Sequence, residues 1–219
     1  MSAALTASCQ AVCGRGRVIA AALDWAERGL IVALYGWLVA RIVIAATVQG
    51  SWGNLMLLPS EGLVLLFILI RRSTDDVSRH PVHWALALAG TAAPMLVQSG
   101  GSRLLVPPTA AAALIFLGMV VQIHAKLILG RSMGCVPANR GLKFSGPYQC
   151  LRHPMYAGYL VTHFAFLLMN PNLWNVMLYL VCGATQVGRI LAEERLLARD
   201  PLYAKYLAAV RYRLIPGVF

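Results

Sequence analysis

The chain has 219 residues, 59% of them hydrophobic and only 12% charged, with a formal net charge of +11. Soluble domains carry about 25% charged residues, so there is too little charge here to clothe a water-facing surface. The composition excludes an ordinary soluble domain, and the surplus base reads as membrane topology before it reads as nucleic-acid binding.

Residues 1–17 are small, polar and glycine-containing, and are expected to form a loose tail. No charged n-region precedes the first apolar run, so no cleaved signal peptide is expected. From Val18 an amphipathic stretch with Asp24, Trp25, Glu27 and Arg28 predicts an interfacial helix or an extension of the first span. A membrane-crossing helix needs roughly 20 mostly apolar residues. Runs near 29–49, 55–70, 82–98, 109–130, 154–170 and 172–192 predict an all-α, polytopic bundle of about five to six spans. Arg41 lies inside the first of these, where it either snorkels, pairs with Glu61 or serves function. Gly62, Pro94 and Gly118 interrupt spans two to four and imply packing. The segment 99–108 is short and nearly uncharged.

Counting basic residues by alternate loops gives a sharp bias. One side takes Arg15, Arg17, Arg28, Arg71, Arg72, Arg79, Arg131, Arg140, Lys143 and Arg152, then Arg195, Arg199, Lys205, Arg211 and Arg213. The other takes Arg103. Both termini are therefore expected in the cytoplasm. The rest of the surplus suits anionic lipid or an anionic ligand. Cys9, Cys13, Cys135, Cys150 and Cys182 form an odd set, and no cluster completes a four-ligand metal site, so no metal is expected.

The organisation divides into a tail and interfacial helix over 1–28, membrane helices over 29–108, and a catalytic core over 109–219. Two constellations could carry chemistry. The first is Gly146-Pro147-Tyr148 followed by Arg152-His153-Pro154-Met155-Tyr156-Ala157-Gly158. Pro154 suits a first helical turn, and the open N–H groups behind it would make an anion site flanked by Arg152 and His153. A capped helix with a snorkelling arginine explains the same residues. The second is Arg189, Glu193, Glu194 and Arg195, where Arg189 and Glu193 share a helix face directly at the end of an apolar span. His124 and Lys126 on span four could face a pocket or pack within the bundle.

Taken in order, with the Asn170-Pro171-Asn172 hairpin and the tyrosine-rich tail ending in Ile215-Pro216-Gly217, these motifs resemble the isoprenylcysteine carboxyl methyltransferase family, most of all its bacterial members, over about 129–219. Related membrane enzymes are the phospholipid N-methyltransferases and, more distantly, the sterol reductases. The resemblance implies an S-adenosylmethionine-dependent methyltransferase acting on a lipid or prenylated acceptor taken from the bilayer. It implies no Rossmann domain, and no Gly-x-Gly-x-x-Gly follows a strand here. It implies that Arg140, Gly141, Leu142 and Lys143, then Tyr148, then His153, Pro154, Met155 and Tyr156 line the cofactor pocket. It associates Arg189 with the acceptor and Glu193 with the cofactor. An acceptor carboxylate needs only a cation such as Arg189 to orient it, whereas an amine needs a base, for which Glu193 and Glu194 are the candidates. A phospholipid N-methyltransferase, an NADPH-dependent sterol-type reductase and a non-catalytic transport or assembly protein are the competing readings. No nucleic acid is expected as a partner.

Overall fold

The computed structural model describes residues 2–49, 55, 58–98 and 105–219, with side chains from Arg17 to Val48 in the first helix. Arg103, the side chains of Cys9 and Cys13, and most of the 99–108 segment lie outside the described residues. Among the described residues seven α-helices follow one another: α1 Ser2–Gln49, α2 Leu58–Ile70, α3 Pro81–Ala92, α4 Pro108–Leu129, α5 Pro154–Met169, α6 Leu173–Leu197 and α7 Pro201–Ala209. The stretch 2–17, expected as a loose tail, continues α1 without a break.

Local chemistry sets the boundaries. Proline opens α3, α4, α5 and α7, where its missing N–H costs nothing. The Asn172 side chain caps α6 by accepting from Asn175 N, and Asp200 caps α7 through Leu202 N. The expected span at 82–98 is helical only to Ala92 and then tightens into a 3₁₀ turn, Ala93–Leu96, because Pro94 removes a donor and crowds the preceding turn. Arg41 serves this break. Its guanidinium donates to Met95 O and, at 2.9 Å, to Val97 O, so it satisfies freed carbonyls and does not pair with Glu61.

Among the described residues three stretches, Arg17–Val48, Pro108–Ser132 and Leu173–Leu197, are long and apolar enough to cross a membrane. Leu58–Ile70 and Pro154–Met169 are apolar but shorter. At 1.5 Å per residue a 25-residue helix reaches about 37 Å, enough for a hydrocarbon core of about 30 Å. Large apolar side chains such as Trp25, Val48, Phe116, Leu173 and Leu180 face outward, as a lipid-solvated bundle requires. The chain is an all-α integral membrane protein.

Glycines bring the core helices together. A Cβ on Gly158 would lie 2.7 Å from Gly118 O, and one on Gly118 would lie 2.8 Å from Gly158 O. Backbone therefore meets backbone where α4 packs on α5. Gly188 likewise admits Leu86 where α3 packs on α6.

Candidate functional site

The polar end of the bundle is organised around two buried ionic clusters. In the first, Asp24 and Glu27 of α1 hold three arginines. Asp24 takes Arg28 at 2.9 Å and Arg71 at 2.7 Å, and Glu27 takes Arg71 at 2.9 Å and Arg140 at 3.0 Å. Glu27 also accepts the N–H groups of Cys135 at 2.7 Å and Val136 at 3.0 Å. The long loop after α4 is thereby nailed to α1. It is further laced to the α2–α3 connection by Arg72 N to Arg131 O, Ser78 N to Pro137 O and Asn139 N to Asp76 O. Burial pulls the Arg140 guanidinium below its usual range, and Glu27 and Asp24 hold it up in part.

The second cluster surrounds Glu194 on α6. Its carboxylate takes Arg213 at 2.8 Å, His153 at 3.3 Å and Arg152 at 3.4 Å. Arg152 also donates to Val210 O and Leu207 O, both at 2.7 Å, and Arg152 N and His153 N bond Tyr212 O and Arg213 O. The C-terminal tail is strapped across the start of α5. The anion site expected at that helix start is filled from within: Glu194 is the anion, and the tail takes the flanking N–H groups.

Two cavities lie beside these clusters. The more polar one, of about 70 Å³ and called the polar cavity below, is lined by Arg140, Gly141, Leu142, Lys143, Tyr148, His153, Met155 and Tyr156, with Glu193 and Tyr203 opposite. The fold thus gathers, around one hollow, residues separated by more than 50 positions. Pro154 is buried beside it without lining it, and Glu194 lines neither cavity. Arg140 is committed to Glu27 and Asp24, whereas Lys143 and Glu193 make no hydrogen bond or ion pair among the described residues. Burial pushes the Tyr148 phenol well above its ordinary range and Tyr206 up to about 12, so both keep their protons at neutral pH. Tyr206 uses its proton on Tyr148 O at 2.6 Å.

The second cavity, about 190 Å³, lies inside the bundle among α1 to α6 and is mostly apolar. It shares Met133, Gly134, Met155 and Tyr156 with the first, so the two hollows meet there. Arg189 stands at this junction. It is 7% exposed, and its Cζ lies 5.3 Å from the Tyr156 ring centroid. Among the described residues its guanidinium donates one hydrogen bond, to Cys135 O at 3.1 Å, and its Nε is buried without a partner. Arg189 and Glu193 share a helix face but form no ion pair; Glu193 belongs to the polar cavity and Arg189 to the apolar one.

Several contributors escaped the sequence reading. Glu27 and Asp24 position the loop, and their signal was two carboxylates three apart in an otherwise apolar run. Lys126, expected either to face a pocket or to pack within the bundle, is fully buried. It donates to Ser60 Oγ at 2.7 Å and Ser60 O at 3.1 Å, and it faces Glu61 at 3.7 Å. His163 stacks between Tyr159 and Tyr179 on the cavity wall.

Residues 106–205 match the model of the phospholipid methyltransferase family. That is just under half of the chain, and it takes in the whole of α4, α5 and α6, the first half of α7, and every lining residue of the polar cavity but Tyr206. The match and the fold together support a membrane methyltransferase. No curated protein matches the chain.

Proposed function

We propose that this protein is an S-adenosylmethionine-dependent methyltransferase that esterifies the carboxylate of a lipid-like acceptor. The observation that carries the proposal is the buried, underused guanidinium of Arg189 at the meeting point of a polar and an apolar cavity. A buried cation with open donors calls for an oxygen anion, and a carboxylate matches its fork.

The polar cavity fits an adenosyl cofactor by its donor set. Glu193 would hold its cationic or hydroxyl groups, Lys143 its carboxylate, and Leu142 and Leu197 would flank its base. Ligand pockets run to about 300–1,000 Å³, so binding requires the loop to part from α7. When bound, the cofactor supplies an activated methyl group. The chain's own residues do the rest. Arg189 orients the acceptor carboxylate, which is already ionised and needs no base. Tyr156 and Met155 wall the junction against water, and the apolar cavity takes the chain of the acceptor. The basic bias of the loops at this end supports a cytoplasmic mouth, where a soluble cofactor and a bilayer-borne acceptor can both arrive.

A second reading, phospholipid N-methylation, is favoured by the family match and by the unpaired Glu193 carboxylate, which could take the proton of an amine. Purified protein incubated with methyl-labelled S-adenosylmethionine and a membrane lipid extract separates the two. A methyl ester releases labelled methanol in base, and an N-methyl product does not. Arg189→Ala is expected to lower ester formation about 100-fold or more, since one partner of a buried charge-assisted pair is removed. Base-stable product from the native protein refutes the carboxylate reading.

A further inference from the structure

The wall that α5 and α6 give to the apolar cavity is built in two layers. The layer at the junction with the polar cavity pairs Tyr156 of α5 with Arg189 of α6, whose Cζ lies 5.3 Å from the Tyr156 ring centroid. The deeper layer pairs His163 of α5 with Cys182 of α6, where Nδ1 and Sγ meet at 3.8 Å. The spacing is the same on both helices. Seven positions separate Tyr156 from His163, and seven separate Cys182 from Arg189. Seven residues make almost two turns and a rise of about 10 Å, so on each helix the two side chains share a face. The short turn at 170–172 makes α5 and α6 antiparallel, so the two counts measure one separation from opposite ends.

His163 is a polar ring on a mostly apolar wall, and its neighbours leave one edge of it unused. Its faces stack on Tyr159 and Tyr179, with centroids 5.9 and 4.8 Å away. Cys182 Sγ accepts from Gln186 Nε2 at 3.5 Å, which leaves the thiol proton for His163 Nδ1. Bonds running head to tail in this way reinforce one another in a low dielectric. With Nδ1 accepting, the proton of the ring sits on Nε2. That nitrogen makes no hydrogen bond among the described residues, and the ring lines the cavity. A donor left unmet in an apolar hollow is costly, so an oxygen that meets it is favoured there over a methylene.

We propose that His163 is a specificity-determining residue, and that the acceptor carries a hydrogen-bond-accepting oxygen, such as a ketone, about 10 Å along its chain from the reacting carboxylate. This rests on the reading of Arg189 as the partner of that carboxylate. With the carboxylate in the Arg189 layer and the chain running into the cavity, His163 Nε2 meets the chain two helical turns further in. An extended chain covers about 3.5 Å for every three bonds, so about 10 Å is eight or nine bonds, and the oxygen belongs on about the tenth carbon. A plain hydrocarbon tail would leave the donor unmet, and an oxygen placed much nearer the carboxylate would face apolar wall.

The test uses the full chain in detergent and two isomeric probes, 10-oxooctadecanoic acid and 5-oxooctadecanoic acid. They share carboxylate, length and polarity, and differ in where the oxygen sits. Dissociation constants are read from tryptophan fluorescence, and methyl transfer is followed alongside. The native protein is expected to bind the 10-oxo isomer about 10-fold more tightly, the size of one net hydrogen bond. His163→Phe keeps a ring between Tyr159 and Tyr179 but has no donor, and the ratio of the two constants is expected to fall to about one. His163→Gln keeps an N–H group and should retain part of the preference. Both constants come from the same preparation, so partial misfolding cancels in the ratio. Equal binding by the native protein, binding of neither isomer, or a ratio unchanged in His163→Phe overturns the inference. A His163-dependent ratio without methyl transfer upholds it and counts against the proposed activity. Methyl ester formation with a His163-independent ratio does the reverse.

Discussion

Replacing Glu27 with glutamine tests the idea that a carboxylate that lines neither cavity helps to build both. Glu27 is 1% exposed and holds Arg71 and Arg140 together with the N–H groups of Cys135 and Val136. The amide keeps the shape but removes the charge, and it turns an N–H₂ group toward donors. Arg28, Arg71 and Arg140 are then left with Asp24 alone. Removing one partner of a buried ion pair costs about 3–5 kcal/mol. The lost charge-assisted bonds to the loop are part of that figure and are not added to it. At about 2–4 °C per kcal/mol for a chain of this size, the expected drop in melting temperature is roughly 6–20 °C. Unfolding of the detergent-solubilised protein, followed by tryptophan fluorescence, measures it. Asp75→Asn is the control. Its partner Arg17 is 3.7 Å away and both side chains are more than 70% exposed, so no measurable change is expected. Because Cys135 O holds Arg189, Glu27→Gln should also lower methyl transfer per folded molecule. A melting temperature within 2 °C of the native protein would refute the account of the loop as anchored by Glu27.

Three further outcomes follow from the same geometry. Gly158→Val should disrupt the contact of α4 with α5, since even its Cβ would meet Gly118 O at 2.7 Å, whereas Gly183→Ala, with open space around it, should fold normally; yield and thermal unfolding compare them. Glu194→Ala should leave Arg152 and His153 without their anion and free the C-terminal strap, with a loss of about 2–4 kcal/mol and faster proteolysis within 210–219. Glu193→Gln should weaken S-adenosylmethionine binding about 10-fold by calorimetry while shifting the melting temperature little, because Glu193 makes no hydrogen bond or ion pair among the described residues.

The fate of the arginines shows how the site divides between sequence and structure. Arg140 looked like a cofactor ligand by its place in the motif, and its side chain does border the polar cavity, yet its charge is taken by Glu27 and Asp24. Arg152 looked like part of an anion site, and it clamps the tail to Glu194. Arg140 and Arg189 each keep a buried Nε without a partner, but of the three Arg189 is the one with no carboxylate at ion-pair distance among the described residues. Nothing in the local pattern tells which of them is neutralised by a carboxylate. The partners that decide lie about 40 to more than 110 residues away and meet only when the helices pack.

What the sequence determined by itself is what composition and local spacing control. The apolar runs and scarce charges required a helical membrane bundle, since only internally hydrogen-bonded segments survive in hydrocarbon. The prolines and Asn172 set most helix starts, and the order of motifs from Tyr148 to Glu193 indicated the polar cavity. Tertiary structure decided the allocation of charge. Buried ions are stable only when paired, so folding sorted the few carboxylates among many arginines. Glu27 and Glu194 became structural anchors, Glu193 was left facing the polar cavity, and Glu61 and Arg189 were left facing the apolar one.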